Sequence, residues 1–433
     1  MTSSNDDNGP AVLGPSRHRR TTPVQDLCPT RGGTPPGFDG GVTQNTPTSR
    51  GIGPTRLAER HLAPDLIRGL MLLLIAVANS HHFLAGRTLE PSPGAGFAAG
   101  GSVLDSVVAG TVATLVDSRA YPLFALLFGY GLAWTVQRQT TAGAPWPRTR
   151  RLLRRRGGWL VVIGVLHAVL LYLGDILAAY GVLALVFAGA VRWRGRTLAV
   201  WAGASWLLGS VLLLPTALEP VVEDLTGVTN LLSLPGSTLE KIGTEISLLL
   251  LLPIGLLPTL FLGFWAARRG ILADPGRHLP LLRWTAVLGI GAAVLGGLPN
   301  GLAAAGVLEF EPGVAAAWVL TAHQATGYLG GLGYAAALAL LAVRIGARRG
   351  PLVRALVATG QRSMTCYLAQ SVVWLLAFAP FAADLGQRLG TAATAGLAVA
   401  TWALTVGLAE LLRRAGWRGP FEALFRRVVY GRG

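Results

Sequence analysis

Two ionisable side chains, His167 and Asp175, stand eight residues apart inside apolar sequence that reads as two short helices joined by a turn at Gly174-Asp175. An ionisable group within a membrane span costs roughly 2.5–3.5 kcal/mol on insertion scales, so each one needs a reason to be there. A histidine beside a carboxylate can accept a proton and return it at neutral pH. The plainer use of such a pair is to lock two helices together. His167 is placed near the middle of its helix and Asp175 at the outer end.

A second group lies along the first apolar run, Asp65-Leu-Ile-Arg68-Gly69 followed by Asn79-Ser-His81-His82. At about 100° per residue, Asp65, Arg68, Asn79 and His82 share one polar stripe, and His81 falls near the opposite side. The Asp65/Arg68 pair and His82 are about 25 Å apart at roughly 1.5 Å rise per residue. His82 is therefore a second candidate base, at the outer end. Arg119 opens the next apolar run and is read as an interfacial cation able to hold a carboxylate or phosphate. Further along, Ser363, Tyr367, Gln370, Ser371 and Trp374 fall within roughly a 100° stripe of one helix, with Thr365 off it. Such a stripe must face a cavity, the bundle interior or another polar helix. His323, Gln324 and Tyr328 add polar groups to the helix before it.

The elements that carry these residues are set by composition. Of 433 residues, 52% are hydrophobic and 13% charged, against about 25% charged in an ordinary soluble domain. The mean hydropathy is +0.50. The expected fold is all-α: a polytopic helical bundle of about ten transmembrane helices. Spans are expected near 66–85, 119–137, 158–173, 176–191, 197–217, 246–267, 282–305, 314–343, 363–381 and 389–412. The third and fourth are short. The eighth, with Gly327, Gly330, Gly331 and Gly333, is expected to be broken or tilted, or to use its glycines for close helix packing. Residues 101–117 are expected to form an interfacial or re-entrant helix on the outer face. Residues 1–60, rich in Pro, Gly, Ser and Thr, read as a disordered cytoplasmic tail with no cleavable signal peptide. The transmembrane domain then covers 61–433.

Net charge is +16. Its placement argues against nucleic acid as a partner and for the bilayer, because the arginines cluster between apolar runs. With the N-terminus inside, 32 of the 37 Lys and Arg fall on the inner side, as the positive-inside rule requires. Both termini are then cytoplasmic, and the expected location is a bacterial cell membrane. Cys28 and Cys366 sit in the tail and in a span, so no disulfide is expected. No phosphate-cradling Gly-Lys loop, CxxC pair, HExxH or GxSxG occurs, so nucleotide hydrolysis and zinc chemistry lack support and no metal is expected.

Five segments carry a family resemblance when taken in order. They are Arg60-His-Leu-Ala-Pro-Asp65-Leu-Ile-Arg68-Gly69 with Asn79; Phe124-Ala-Leu-Leu-Phe-Gly129-Tyr-Gly131; and Gly164-Val-Leu-His167 with Gly174-Asp175-Ile-Leu177 and Tyr180. Gly360-Gln-Arg-Ser363-Met-Thr365-Cys-Tyr367-Leu-Ala-Gln370-Ser371 and Gly419-Pro420-Phe-Glu422-Ala-Leu-Phe-Arg426 with Tyr430-Gly431 complete the set. Over roughly 60–433 the chain resembles the YeiB-like bacterial membrane proteins, domain-of-unknown-function family four hundred and eighteen. Cys366 departs from that pattern, which usually has Asn before the tyrosine, and His82 lies in no motif that transfers. The family is similar to a wider group of ten-span membrane acyltransferases. That similarity implies a histidine base, acyl-CoA as a cytosolic donor substrate, no permanently bound cofactor, and an acceptor such as a sugar reached from the outer side.

On that reading the donor phosphates meet the arginines of 148–156, and Asp65 and Arg68 form an inner vestibule. His82 or His167 acts as base, oriented by Asp175 or Arg119. Asn79, Ser363, Tyr367, Gln370 and Ser371 complete the candidate substrate-binding set. Two rival readings remain open. One is a transporter with a His167–Asp175 proton relay; the other is a non-catalytic membrane scaffold.

Overall fold

The structure, a computed structural model, describes residues 61–84, 97, 100–212, 237–311 and 313–431. The expected tail over 1–60, with Cys28, and the end of the expected span 197–217 lie outside the described residues. Within them the chain is all-α, with thirteen helices and no strand. These are α1 (Leu62–Ser80), α2 (Val103–Leu115), α3 (Ala120–Thr141), α4 (Trp146–Leu170), α5 (Leu177–Phe187), α6 (Gly195–Leu212) and α7 (Thr238–Arg268). After them come α8 (Leu279–Ala304), α9 (Val314–Ile345), α10 (Pro351–Gln361), α11 (Ser363–Phe378), α12 (Thr391–Arg414) and α13 (Pro420–Tyr430).

Six helical segments are long and apolar enough to cross a membrane: Leu62–Phe83, Val103–Thr141, Leu249–Arg268, Pro275–Ala304, Val314–Ile345 and Thr391–Arg414. The sequence led us to expect ten. The other four expected spans correspond to α4, α5, α6 and α11, and three of the shortfalls have a simple cause. The first half of α4 carries six arginines between Arg148 and Arg156, which leaves about half the helix apolar. α5 has 11 residues and α11 has 16. At 1.5 Å per residue these are shorter than a hydrocarbon core of about 30 Å. α9 is one unbroken helix of 32 residues rather than a broken one. Its glycines bring it against neighbours: a Cβ at Gly331 would press on Pro122 and Leu123, and one at Gly333 on Ile290.

Three helices fall outside the expected spans. α2 lies where an interfacial or re-entrant helix was expected. Its N-terminus is closed by a capping box between Ser102 and Asp105, satisfying orphan amides in both directions. The second Asp105 oxygen accepts the Ala392 amide at 2.8 Å, tying α2 to the start of α12. α10 and α13 sit in connections read as loops. Each begins at a proline whose missing N–H costs nothing there, and each has 11 residues. Both are amphipathic rather than uniformly apolar, so an apolar-run criterion passes over them.

Apolar side chains also point outward. α8 exposes Trp284, Val287, Leu288 and Leu295, each more than 60% accessible. Lipid tails cover such a face; water does not. The main core joins α1, α3, α5, α7 and α9 through Leu66, Ile67, Met71, Leu123, Leu127, Tyr180, Phe261, Phe264 and Ala339. Helices approach most closely where side chains vanish. A Cβ on Gly360 would meet the Asp65 carbonyl, and one on Gly69 the Leu356 carbonyl. Those two glycines seat α10 directly on the start of α1.

Candidate functional site

The starts of α1 and α11, the middle of α4, the latter part of α3, and α13 meet around a cavity of about 290 Å³. Its mouth carries Arg68, Arg156, Arg362, Arg418 and Arg426, with Asp65 and Glu422 among them. Arg68 Nη1 lies 3.2 Å from Asp65 Oδ1; the carboxylate is buried and the guanidinium about one quarter exposed. The Arg156 guanidinium stands 5.9 Å from the ring centres of both Phe128 and Phe425, a cation–π distance. Deeper, the lining turns apolar and aromatic: Phe124, Leu127, Phe128, Leu160, Leu177 and Tyr180. Tyr367 closes that apolar stretch.

The mouth is built by α13. Glu422 accepts the amides of Met364 at 2.8 Å and Thr365 at 3.1 Å, and the Thr365 hydroxyl at 2.5 Å. A carboxylate on the free amides of a helix start is favourable both as a cap and against the dipole. Arg362 donates through Nε and Nη2 to the Trp417 carbonyl, at 3.2 and 2.6 Å. Burial draws the Arg362 guanidinium below its ordinary range, and Glu422 opposes that shift. Thr365, off the polar stripe by helical geometry, thus serves the docking of α13. Glu422, Arg362 and Arg418 received no site role from the sequence, because their function depends on where an amphipathic helix lands.

Behind Tyr367 lies a closed polar chain. The rings of Tyr367 and His167 have centres 5.1 Å apart. His167 Nδ1 stands 2.8 Å from Asp175 Oδ1, and both side chains are almost fully buried. Asp175 Oδ2 accepts the Ala178 amide at the start of α5, at 2.7 Å. On the other side, His167 Nε2 is 2.8 Å from the hydroxyl oxygen of Ser371 on α11. Gly164, one turn before His167, makes this possible, since a Cβ there would press on the Asp175 carboxylate and the Ala178 amide. Nδ1 faces the carboxylate as a charge contact without an aligned hydrogen bond, and Nε2 is the ring nitrogen within hydrogen-bond distance of the serine hydroxyl. Tyr172 completes the surroundings: its ring lies 6.4 Å from His167, and its hydroxyl donates to Asn79 Oδ1 at 2.9 Å.

The sequence-derived candidates therefore divide. Asp65, Arg68, Ser363 and Tyr367 line the cavity. His167, Asp175 and Ser371 form the chain behind it. Asn79 is engaged by Tyr172, and Gln370 points to α12, with Nε2 3.5 Å from the Thr405 hydroxyl. His82 is exposed and His81 buried, stacked on Phe97 at 4.2 Å. This reverses the stripe expected from an uninterrupted helix, because α1 ends at Ser80 and a 3₁₀ turn over His81–Phe83 follows. Arg119 is not interfacial. It is fully buried and donates to the carbonyls of Asp117 and Ala293, each at 2.5 Å. Its Nη1 also lies 3.0 Å from His323 Nδ1. Beside it Tyr121 donates to Gln324 at 2.8 Å. Among the described residues no group of three His, Cys, Asp or Glu is placed to hold a metal ion. Cys366 is buried and unpaired.

An all-helical membrane protein with an arginine-rimmed cavity leading to a buried Asp–His–Ser chain is the class that fold and site define. Residues 266–432, from the end of α7 through α13, match the family described as "Protein of unknown function (DUF418)". The chain is 26% identical over 408 residues to "Uncharacterized protein YxaH" of Bacillus subtilis (strain 168), covering 87% of this chain and 96% of that relative. It is 31% identical over 130 residues to "Uncharacterized protein YeiB" of Escherichia coli (strain K12), covering 30% of each. These matches are to the YeiB-like DUF418 proteins, the family its motifs resemble. They carry no activity. The family match contains Ser371, Tyr367 and Glu422, and begins after His167 and Asp175.

Proposed function

We propose that this protein is a membrane-embedded acyltransferase that draws an acyl thioester into the cavity from its arginine-rimmed end and transfers the acyl group to a hydroxyl acceptor. One observation carries the reading: the cavity grades from guanidinium groups to an aromatic throat that ends on Tyr367, against His167. A donor with a phosphorylated head and an apolar acyl arm, such as acyl-CoA, has the same gradient. Arg156, Arg418 and Arg426 receive phosphate charge by charge-assisted hydrogen bonds. The throat of Phe124, Phe128, Leu160 and Leu177 takes the acyl arm away from water. His167, held by Asp175, accepts the proton that the attacking hydroxyl must lose.

The location follows the same reading. The arginine-rich end faces the cytoplasm of a bacterial cell, and the ten spans expected from the sequence alternate between the two faces of the cell membrane. Where α5, α11 and the apolar half of α4 are short, tilt of neighbours and local thinning of the bilayer accommodate them. A sugar reached from the opposite face is the acceptor class.

The test uses the full chain in lipid nanodiscs with radiolabelled acyl-CoA and a panel of sugar acceptors. Transfer by the wild-type chain, and its loss in a folded His167→Gln variant, is the expected result. Acyl transfer to no acceptor, or transfer undiminished in His167→Gln, would overturn the reading. Reporter fusions in the 142–145 connection should report a cytoplasmic position.

A further inference from the structure

We propose that Ser371 is the nucleophile of this site, so that the acyl group passes through a serine ester on the protein before it reaches the acceptor. The proposal rests on the transferase reading for its donor, and on the Asp175–His167–Ser371 geometry for its chemistry.

A buried serine in a helix ordinarily returns its hydroxyl to a carbonyl one turn back. For Ser371 that route, to the Tyr367 carbonyl, is long at 3.4 Å. The shorter approach is the 2.8 Å one to His167 Nε2. The imidazole is itself fixed by Asp175 at 2.8 Å, and the carboxylate by the Ala178 amide at 2.7 Å. The groups stand in the order amide, carboxylate, imidazole, hydroxyl, with the carboxylate and imidazole in ion-pair contact rather than in an aligned hydrogen bond. That order of roles activates a serine wherever it occurs, independent of fold. A histidine kept only to lock α4 against the turn before α5 needs the Asp175 contact and no hydroxyl on a third helix. Ser371 also stands one helical turn beyond Tyr367, which lines the aromatic throat. Ser371 and His167 are not themselves lining residues, so a carbonyl at the end of that throat reaches the hydroxyl past the Tyr367 ring.

The chemistry closes with no further reagent. Ser371 Oγ attacks the thioester carbonyl and gives its proton to His167 Nε2. The carbon–sulfur bond breaks, and the departing sulfur takes that proton to leave as a thiol. The acceptor hydroxyl then attacks the serine ester and passes its proton to His167. The bond from Ser371 Oγ to the acyl carbon breaks, and the proton returns to the serine oxygen.

The experiment treats the full wild-type chain in nanodiscs with a long-chain alkyl fluorophosphonate, which reacts with activated serines whatever their substrate, and maps the adduct by mass spectrometry. In parallel, radiolabelled acyl-CoA is supplied with and without a sugar acceptor. The expected result is one phosphonate adduct, on Ser371, and an alkali-labile acyl group on the same residue when acceptor is withheld. His167→Gln should slow labelling by at least about 100-fold, the low end of what general-base removal costs. Ser371→Cys should retain the acyl group as a thioester cleaved by neutral hydroxylamine, which separates loss of the nucleophile from loss of the fold. A wild-type chain that transfers acyl groups without labelling at Ser371 transfers by direct displacement; the proposal then falls and the transferase reading stands. Labelling at Ser371 with no transfer from any thioester keeps the nucleophile and removes the transferase reading. A chain that neither labels nor transfers loses both.

Discussion

Two polar clusters are buried in this bundle, and they have similar ingredients. One joins Asp175, His167 and Ser371; the other joins Asp117, Arg119 and His323. Each contains a histidine nine-tenths or more hidden from solvent. They differ in what their last member faces. Arg119 spends its guanidinium on two backbone carbonyls and His323, and glycines at 297 and 330 wall it in. His167 passes its polarity to a hydroxyl, beside a tyrosine that lines a cavity. Burial of ionisable groups is common to both, so burial alone does not mark chemistry. A route to a ligand and a group with a proton left to give mark it.

The largest effect that separates the clusters is on turnover. His167→Gln should lower kcat/KM for acyl transfer by about 10²–10⁴-fold, as removal of a general base does, whereas His323→Gln should leave the turnover of the folded protein unchanged. Steady-state kinetics on nanodisc-embedded protein measures both. An equal loss in the two variants would erase the distinction.

Next in size is stability. Arg119→Met leaves buried carbonyls without donors, and each costs about 1–3 kcal/mol. A fall in unfolding free energy of at least about 2 kcal/mol is expected in denaturant titrations, with the turnover of the remaining folded protein preserved. If the variant unfolds at the wild-type midpoint, Arg119 is not the lock described here.

A matched pair of glycine variants sharpens the contrast. Gly164→Ala pushes a methyl into the Asp175 carboxylate, and Gly297→Ala pushes one into the Arg119 guanidinium. Overpacking of this kind costs about 1–3 kcal/mol, and both should melt lower by similar amounts. Only Gly164→Ala should also slow transfer, because it displaces the carboxylate that aims His167.

The smallest effect concerns the mouth. Arg156→Gln and Arg426→Gln should each raise KM for a phosphorylated donor by about tenfold, near the 1.4 kcal/mol of one charge-assisted contact. Their kcat should stay within about twofold, as expected when uniform binding is lost. A change confined to kcat would move these arginines from binding to the chemistry.

Much of the site was legible one residue at a time. His167, Asp175, Tyr367 and Ser371 stand out in the sequence as polar groups in apolar surroundings, and Asp65 with Arg68 as a pair three apart on a helix. The asymmetric placement of arginine was equally plain. His82 went the other way: helical phase carried past Ser80 assumes the helix continues, and a 3₁₀ turn rotates the next two side chains. α10 and α13 were hidden because a short amphipathic helix looks like a polar connection until the groove it fills is known. Three expected spans, those of α4, α5 and α11, are too short or too polar to qualify by length and hydropathy, since residue spacing tells where an apolar run lies and not how a neighbour shelters it.

The sequence by itself determined an all-helical membrane protein with basic connections, because hydropathy, helical period and charge are properties of short stretches of chain. Only the tertiary structure decided that Ser371 meets His167 across 204 residues, that Glu422 caps α11, and that Arg119 is sealed inside rather than offered at a surface. Those pairings depend on which helix faces turn toward each other and on the glycines that let the backbones approach, and both are settled when the helices pack together.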